Sequence, residues 1–167
     1  MQAIPFFEQA LTIAREEGNR AGEGITLNNL GIVYKELGQY VKSTALHEQA
    51  LVIARAGGSR NTEYTSLGNL GRVYAAQGQY AQALAFFEQV LVGVREMGDR
   101  VIESSILNNM GSVYDEQGQY AQARIFFEQA LTIAREGGGP PRRRYVLGQA
   151  RAGIRGARSI RAGARLF

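Results

Sequence analysis

The chain of 167 residues contains no cysteine, no tryptophan, three prolines and a single histidine, His47. Without cysteine, neither disulfide bonds nor thiolate metal sites can form, and one histidine without a carboxylate cluster cannot make a zinc site. No run of about 18 apolar residues is present, so the sequence predicts no membrane span. Acidic residues stand near the N-terminus where a secretory signal would be apolar, so we expect a cytoplasmic protein.

Acidic residues are missing from the end of the chain. The net charge is +4, but residues 1–137 carry 11 basic and 15 acidic side chains, whereas residues 138–167 carry eight arginines and no acid. The basic balance therefore belongs to the tail, and the body gives no reason to expect a nucleic-acid site. We expect nucleic acid to bind only non-specifically, through the tail.

Motifs for catalysis are missing as well. Neither phosphate-binding loop, G-x-x-x-x-G-K-S/T or G-x-G-x-x-G, occurs in the sequence. His47 lies in an apolar stripe and is expected to be a partly buried packing residue. The acidic pairs Glu16/Glu17 and Asp115/Glu116 are adjacent in sequence, so they diverge on a helix and are expected to be solvated surface. The sequence therefore predicts a protein that is not an enzyme and needs no cofactor or metal.

What the sequence does contain is one pattern that occurs three times. LNNLGIVYKELGQY begins at Leu27, LGNLGRVYAAQGQY at Leu67 and LNNMGSVYDEQGQY at Leu107, at a spacing of 40 residues. A second pattern, FFEQALTIARE at residues 6–16, recurs at 46–56, 86–96 and 126–136. Self-similarity at such a period indicates a stack of supersecondary units, none of which can bury its apolar face alone.

Each unit is predicted to form two helices. Leu27, Leu30, Tyr34 and Leu37 follow helical spacing, and no window alternates with the period of a strand. The first helices are expected over residues 20–37, 60–77 and 100–117. The second helices are expected over 40–56, 80–96 and 120–136, preceded by a lone second helix over 4–17.

The ends of the helices are marked repeatedly. Glycine is expected to end each helix in the left-handed conformation, at Gly18, Gly38, Gly58, Gly78, Gly98, Gly118 and Gly138. The following polar residue can cap the next first helix, at Asn19, Ser59 and Asp99. Arginines in the last turn of the second helices and glutamates in the first turn of the first helices suit the helix dipole, at Arg15, Arg55, Arg95 and Arg135 and at Glu23, Glu63 and Glu103.

Gly31, Gly71 and Gly111 stand inside the first helices, where glycine costs about 1 kcal/mol relative to alanine. The repeated cost indicates a close approach between the two helices of a hairpin. A small residue is therefore expected opposite, in the second helix, at Ser43, Ala83 and Ala123.

The pattern L-x-x-L-G-x-x-Y, followed by a small residue, an aromatic and a further apolar residue at set spacings, resembles the tetratricopeptide repeat. One copy consists of Leu67, Leu70, Gly71, Tyr74, Ala83, Phe87 and Val90. The 40-residue form is similar to repeats of kinesin light chains, G-protein-signalling modulators and large bacterial multidomain proteins. The resemblance covers residues 2–137 and implies an all-α fold, a right-handed α-solenoid of antiparallel helix hairpins with about seven helices and an irregular basic tail.

The resemblance also implies a domain organisation: a half repeat at 1–18, repeats at 19–58, 59–98 and 99–137, and an Arg/Gly-rich tail at 138–167. The first full repeat departs most, with Ser43 in place of alanine and His47 in place of phenylalanine, and is expected to pack less tightly. Three interpretations of the tail stay open: a disordered basic segment, a weak capping helix, or sequence read out of frame. The half repeat and the tail favour a fragment of a longer array.

The family resemblance implies a protein-interaction scaffold that holds a peptide segment of a partner on the concave face of the first helices. An asparagine recurs there at 29, 69 and 109, and its amide offers the donor and acceptor that suit a peptide backbone. The candidate residues are Asn28, Asn29, Ile32, Lys35, Asn69, Arg72, Asn108, Asn109, Ser112 and Asp115. A ladder of asparagines between repeats, or duplication alone, would explain the recurrence equally.

Two further hypotheses for function remain at this point: a structural fragment of a longer array without independent function, and polyanion binding through the arginine tail. The lone helix over 4–17 lacks a hairpin partner, so we expect apolar surface to be uncovered at Phe6 or Phe7. Self-association through such uncovered terminal helices is therefore expected.

Overall fold

The computed structural model describes residues 3–136, which are helical except for short turns. The helices are α1 (Ala3–Glu16), α2 (Arg20–Glu36), α3 (Tyr40–Ala56), α4 (Arg60–Ala76), α5 (Tyr80–Glu96), α6 (Arg100–Glu116) and α7 (Tyr120–Glu136). The predicted helices are confirmed, and each end agrees to within one residue. The interpretations of the tail concern residues 138–167, which lie outside the described residues. Between residues 3 and 136, no helix is long and apolar enough to cross a membrane.

The described chain forms two compact units, one ending at Phe86 and the other starting at Phe87, so that the division falls within α5. In the first unit, α2 packs against α1, α3 and α4, and α3 packs against α4. Leu11, Leu27, Ala50 and Ile53 form its buried cluster. In the second unit α6 packs against α7. Each unit therefore buries the apolar stripes that the repeat pattern predicts.

The turns between the helices follow the glycine pattern. The six described glycines after the helices have φ angles between 64° and 73°, a region that favours glycine over all other residues. At the end of α2, the N–H of Gly38 donates to the carbonyl of Lys35 and the N–H of Gln39 donates to the carbonyl of Tyr34, which satisfies carbonyls of the last turn. The predicted left-handed helix ends are confirmed at these positions.

Two of the three predicted side-chain caps are present. The side chain of Asn19 accepts from the N–H of Gly22, and that of Asp99 accepts from two N–H groups at the start of α6. The prediction for Ser59 is wrong, because its side chain makes no capping bond. Its hydroxyl donates instead to the Thr62 hydroxyl, at 3.0 Å.

The arginines and glutamates at the helix ends are partners of each other. The Nε of Arg15, in α1, lies 2.9 Å from Oε1 of Glu23, in α2, and Arg20 contacts the other carboxylate oxygen at 2.6 Å. The hydrogen bond from Arg15 and the charge of Arg20 hold the pKa of the Glu23 carboxyl below its usual value, against the opposing effect of burial. The same contact recurs in later repeats, as Arg55–Glu63 and Arg95–Glu103. These pairs connect each second helix to the first helix that follows it.

Gly31 and Gly111, inside the first helices, each lie against an aromatic ring of the second helix that leaves no room for a side chain. A methyl group at Gly31 would lie 2.6 Å from Cε1 of His47, and one at Gly111 would lie 2.6 Å from Cε1 of Phe127. The predicted close approach is confirmed, but the aromatic residue of the second helix is what excludes a larger side chain. Ser43 does lie opposite, where its hydroxyl donates to the Gly31 carbonyl at 2.7 Å.

Candidate functional site

The candidate residues divide between the two units. We define the α2–α4 face by Asn29, Ile32, Lys35, Asn69 and Arg72, which lie on two packed helices of the first unit. We define the α6 face by Asn108, Asn109, Ser112 and Asp115, on one helix of the second unit. The structure therefore brings together the members of each set within its own unit.

The α2–α4 face combines an amide, apolar groups and cations. Asn29 is exposed and has Ile25, which is 54% exposed, one turn before it and the half-buried Ile32 one turn after it. Arg72 is exposed on α4, whereas Lys35 is half-buried and lies 2.7 Å from the carboxylate of Glu36. Apolar and polar groups are thus both accessible on this face.

The asparagines that recur at one repeat position have different surroundings. Asn29 is exposed, Asn109 is half-buried, and Asn69 is only 7% exposed. The Nδ2 group of Asn69 has no acceptor among residues 3–136. The same residue type at these three positions therefore lies in different surroundings. Asn29 and Asn109 are the two that a ligand can reach.

Asn28 lies beneath the α2–α4 face and not on it. It is 3% exposed, its Nδ2 donates to the Ser66 hydroxyl at 2.9 Å, and its Oδ1 accepts from Nδ1 of His47 at 2.8 Å. Asn108, its counterpart in the second unit, is also buried. The two polar ends of the Asn28 amide are thus engaged by α3 and α4, so this side chain connects helices.

His47 is more deeply buried than the sequence predicts, with no exposed surface. Since its Nδ1 donates to Asn28, its Nε2 carries the lone pair, and that atom has no partner in the described part of the chain. Burial, together with the positive charges of Arg72 and Lys35, lowers the pKa of His47 to about 4. The ring is therefore neutral at neutral pH. Ser43 is equally buried, so the polar substitutions in this repeat open no gap at either position.

The sequence contained a signal for the hydrogen bond between His47 and Asn28. Ser43 and His47 are the two positions where the first full repeat replaces the apolar residues of the other copies. Polar residues at two apolar positions of one hairpin indicate a polar partner inside it, because a buried polar group without one is destabilising. Asn28 is the partner of His47 and the Gly31 carbonyl is the partner of Ser43, and only the packing of the helices identifies them.

The α6 face is polar and acidic. Asn109, Ser112 and Asp115 are half-buried, and Glu116 beside them is exposed. The Ser112 hydroxyl donates to the carbonyl of Asn108 at 3.1 Å, as serines inside helices commonly do. One carboxylate oxygen of Asp115 is buried without a hydrogen-bond partner among the described residues. This face therefore differs in charge from the α2–α4 face, which carries Lys35 and Arg72.

The candidate residues lie apart from two clefts of the described chain and from any candidate metal centre in it. Among residues 3–136, no three histidine, aspartate or glutamate side chains converge on a metal position. Clefts do form elsewhere: one in the first unit includes Val52 and Ile53, one in the second includes Ile125 and Ile133, and none of the candidate residues lines either.

The chain matches a known family of repeats. The model of the tetratricopeptide repeat matches residues 1–56 and 62–136, which is most of the chain. No curated protein matches the chain. The family match includes both candidate faces and every described helix except the first two residues of α4.

Several solved structures have the same fold. The protein BtubC (BKLC) from P. vanneervenii is 19% identical, with a TM-score of 0.72, and the match covers 99% of this chain and 74% of that one. A kinesin light chain protein of Podosopora anserina with nearly identical TPR-like repeats is 20% identical, with a TM-score of 0.64, covering 98% of this chain and 87% of the other.

A third match is a signal transduction ATPase with numerous domains from Pyrococcus horikoshii, which has a tetratricopeptide repeat sensor. It is 20% identical, with a TM-score of 0.67, and the match covers 92% of this chain but 27% of that protein. At these identities the likeness concerns the fold alone.

Proposed function

Because the chain belongs to the tetratricopeptide repeat family, whose repeats generally act as protein-interaction scaffolds, we propose that it binds a peptide segment of a partner protein and catalyses no reaction. The α2–α4 face is the proposed binding surface in the first unit. The α6 face is a second surface of opposite charge, which favours a different segment.

One observation supports this proposal above the others: α2 is apolar on two sides. Leu27 and Leu30 are buried in the hairpin, yet Ile25 is 54% exposed and Ile32 is half-buried next to the exposed Asn29. Covering apolar surface contributes roughly 25 cal/mol per Å². An amide between two isoleucines can bond both the N–H and the C=O of an extended backbone. The surface thus combines affinity for apolar side chains with recognition of the main chain.

The test uses peptides selected from a random display library against the full chain. The variant Asn29→Ala with Arg72→Ala removes the amide and the exposed cation of the face. We expect the Kd of selected peptides to rise at least about tenfold, or about 1.4 kcal/mol, with an unchanged melting temperature, because both side chains are exposed. Fluorescence polarisation measures the Kd.

Gln49→Ala is the matched control, since Gln49 is an exposed amide on α3 outside the face. It should bind like the original chain. The proposal fails if no peptide can be selected, or if Gln49→Ala weakens binding as much as the double variant. For the α6 face, Asn109→Ala with Ser112→Ala is the equivalent pair.

A second experiment separates binding from an asparagine ladder. Asn29, Asn69 and Asn109 are replaced together by alanine. We expect peptide binding to be lost and the melting temperature to be maintained or to rise, since an unsatisfied amide such as that of Asn69 costs about 1–3 kcal/mol when buried. A large fall in melting temperature would instead show that the asparagines hold the repeats together.

A further inference from the structure

A continuous chain of hydrogen bonds runs through the interior of the first unit. His47 on α3 donates to Asn28 on α2 at 2.8 Å, and Asn28 donates to Ser66 on α4 at 2.9 Å. The Ser66 hydroxyl donates in turn to the carbonyl of Thr62, at 2.8 Å. His47 and Ser66 have no exposed surface and Asn28 has 3%. The chain therefore links three helices in a region from which water is excluded.

Packing alone does not require these polar groups. In the second unit the equivalent hairpin has Ala123 and Phe127 where α3 has Ser43 and His47, and the Phe127 ring rests on Gly111 as the His47 ring rests on Gly31. The two rings are equally inaccessible to solvent, with at most 1% exposure. What His47 adds is a donor directed at Asn28. His47 therefore contributes by orienting the Asn28 side chain, since buried hydrogen bonds hold their partners in a single geometry.

The partners of His47 lie directly under the α2–α4 face. Asn28 precedes the exposed Asn29 on α2, and Ser66 is on α4, the helix that carries Arg72. The bond between Asn28 and Ser66 is a direct side-chain link between these two helices. It fixes the distance and the rotation of one half of the face relative to the other.

We propose that His47 is a positioning residue for the α2–α4 face: by orienting the Asn28 amide toward Ser66, it holds α2 and α4 in the geometry that a bound segment requires. This inference rests on the proposed function of that face. It goes beyond that function by assigning specificity to a residue that no ligand can touch.

Two substitutions of His47 separate the effect of its hydrogen bond to Asn28 from the effect of the volume of its ring. His47→Phe fills the site as Phe127 does but removes the donor to Asn28, and His47→Asn keeps a donor near the Nδ1 position but loses the ring. A positioning role predicts that His47→Phe raises the Kd of a display-selected peptide about tenfold, whereas His47→Asn stays within about threefold of the original chain despite a lower melting temperature. A packing role predicts the reverse order of affinities, and that order would overturn the inference.

Ser66→Ala provides a variant that leaves the ring in place. It removes the acceptor for Asn28, so it should weaken binding as His47→Phe does. Ser104→Ala is the matched control, because Ser104 is a buried serine in α6 whose hydroxyl donates only to the carbonyl of Val101 among the bonds of the described chain. Unchanged binding in Ser66→Ala would contradict the inference.

The pH dependence gives a readout that needs no ligand. The charges that act on the ring are Lys35 from α2 and Arg72 from α4, both positive, and no acidic group of the described residues opposes them. Lys35 is itself paired with Glu36. With a pKa of about 4 in the closed hairpin and 6.5 when released, linkage predicts that opening increases about 30-fold between pH 7.5 and pH 5.

Hydrogen exchange, corrected for its intrinsic pH dependence, measures this opening. Amides of α2, α3 and α4 should lose protection by about that factor in the original chain and not in His47→Phe. Those of α6 and α7, where Phe127 replaces the histidine, serve as an internal control. Equal loss in the two units would overturn the positioning role. If no peptide binds the face while this exchange pattern is observed, the proposed function fails and the hydrogen-bonded linkage of the three helices stands.

Discussion

At the scale of single residues, a close contact between a glycine of the first helix and a ring of the second limits the size of the side chain at the glycine position. Gly31 and Gly111 sit in mid-helix at a cost of about 1 kcal/mol each, and in both cases an aromatic ring lies where a side chain would be. The cost is offset because the ring buries its face against the helix backbone. Gly24, also buried in α2, has more room: a methyl group there would meet nothing closer than 3.4 Å.

We expect Gly31→Ala and Gly111→Ala to destabilise the fold. The clash at 2.6 Å must displace a buried ring, which costs about 1–3 kcal/mol and outweighs the gain in helix propensity. Gly24→Ala is the control and should be neutral or stabilising by up to about 1 kcal/mol. Urea unfolding measures all three. Equal stability of Gly31→Ala and Gly24→Ala would show that the hairpin can open without cost.

His47 should make the chain sensitive to mild acid. Its pKa is lowered from 6.5 to about 4 in the folded state by burial and by two cations, so the unfolded chain binds more protons between these values. Stability is thus complete above pH 6.5 and falls as the pH drops toward 4, by about 2 kcal/mol between pH 7 and 4.5. Urea unfolding at the two pH values should show this loss.

His47→Phe is the control for the acid effect, because it removes the titrating group and keeps the ring. Glu23 also has a lowered pKa, but its contribution is lost only as the pH falls below its usual value of 4.5. The loss of stability from His47 therefore begins near pH 6.5, whereas the loss from Glu23 begins only below pH 4.5. A loss of equal size in His47→Phe between pH 7 and 4.5 would assign the effect to other groups.

At the scale of helices, a tyrosine of the first helix stacks on a phenylalanine of the second helix in two of the hairpins. Phe86 stacks on Tyr74 with ring centroids 5.3 Å apart, and Phe126 stacks on Tyr114 at 5.2 Å. Phe6 holds the same repeat position in α1 and is 71% exposed. The sequence-based expectation of uncovered apolar surface at this helix is thus confirmed for Phe6.

Self-association through α1 stays a prediction, and the exposed side chain of Phe6 names the residue through which it should occur. We expect sedimentation velocity to show concentration-dependent association, because an exposed phenylalanine gains roughly 1.5–3 kcal/mol on full burial. Phe6→Glu should abolish it. Val41→Glu should not, although Val41 is 85% exposed, since it lies on a helix with its hairpin partner in place. A monomer at high concentration, with α1 protected from hydrogen exchange, would contradict the prediction.

At the scale of the whole molecule, the charge distribution separates the helical body from the tail. Residues 1–137 are net acidic, and residues 138–167 carry eight arginines. Both described units have their own buried residues, α1 to α4 in one and α6 and α7 in the other. The family match ends at residue 136 and does not extend to the tail.

We therefore expect a chain shortened to residues 1–138 to keep its cooperative unfolding and its peptide binding. The full chain should bind a generic DNA duplex weakly and independently of sequence, with an affinity that falls steeply from low to physiological salt, because each phosphate contact releases counterions. The shortened chain should not bind. Equal DNA binding by both chains would show that the tail arginines are not responsible, and unfolding on truncation would show that the tail caps the last hairpin.

The sequence by itself determined the helices and their pairing into hairpins. These depend on local and periodic signals: apolar stripes at helical spacing, and glycines such as Gly38 whose φ of 71° no other residue adopts easily. The interior glycines also indicated close packing before any coordinates. Signals of this kind act within a few residues of the chain, so one repeat is enough to read them.

Only the tertiary structure decided which polar groups meet and which face a partner. Asn29 and Asn69 hold the same repeat position, yet one is exposed and the other buried. Asn28 finds His47 at a separation of 19 residues and Ser66 at 38, and Arg15 finds Glu23 across a turn. Such partners depend on how whole helices pack. A repeated sequence gives the same helix each time, but its neighbours differ from one repeat to the next, and burial is a property of the neighbours.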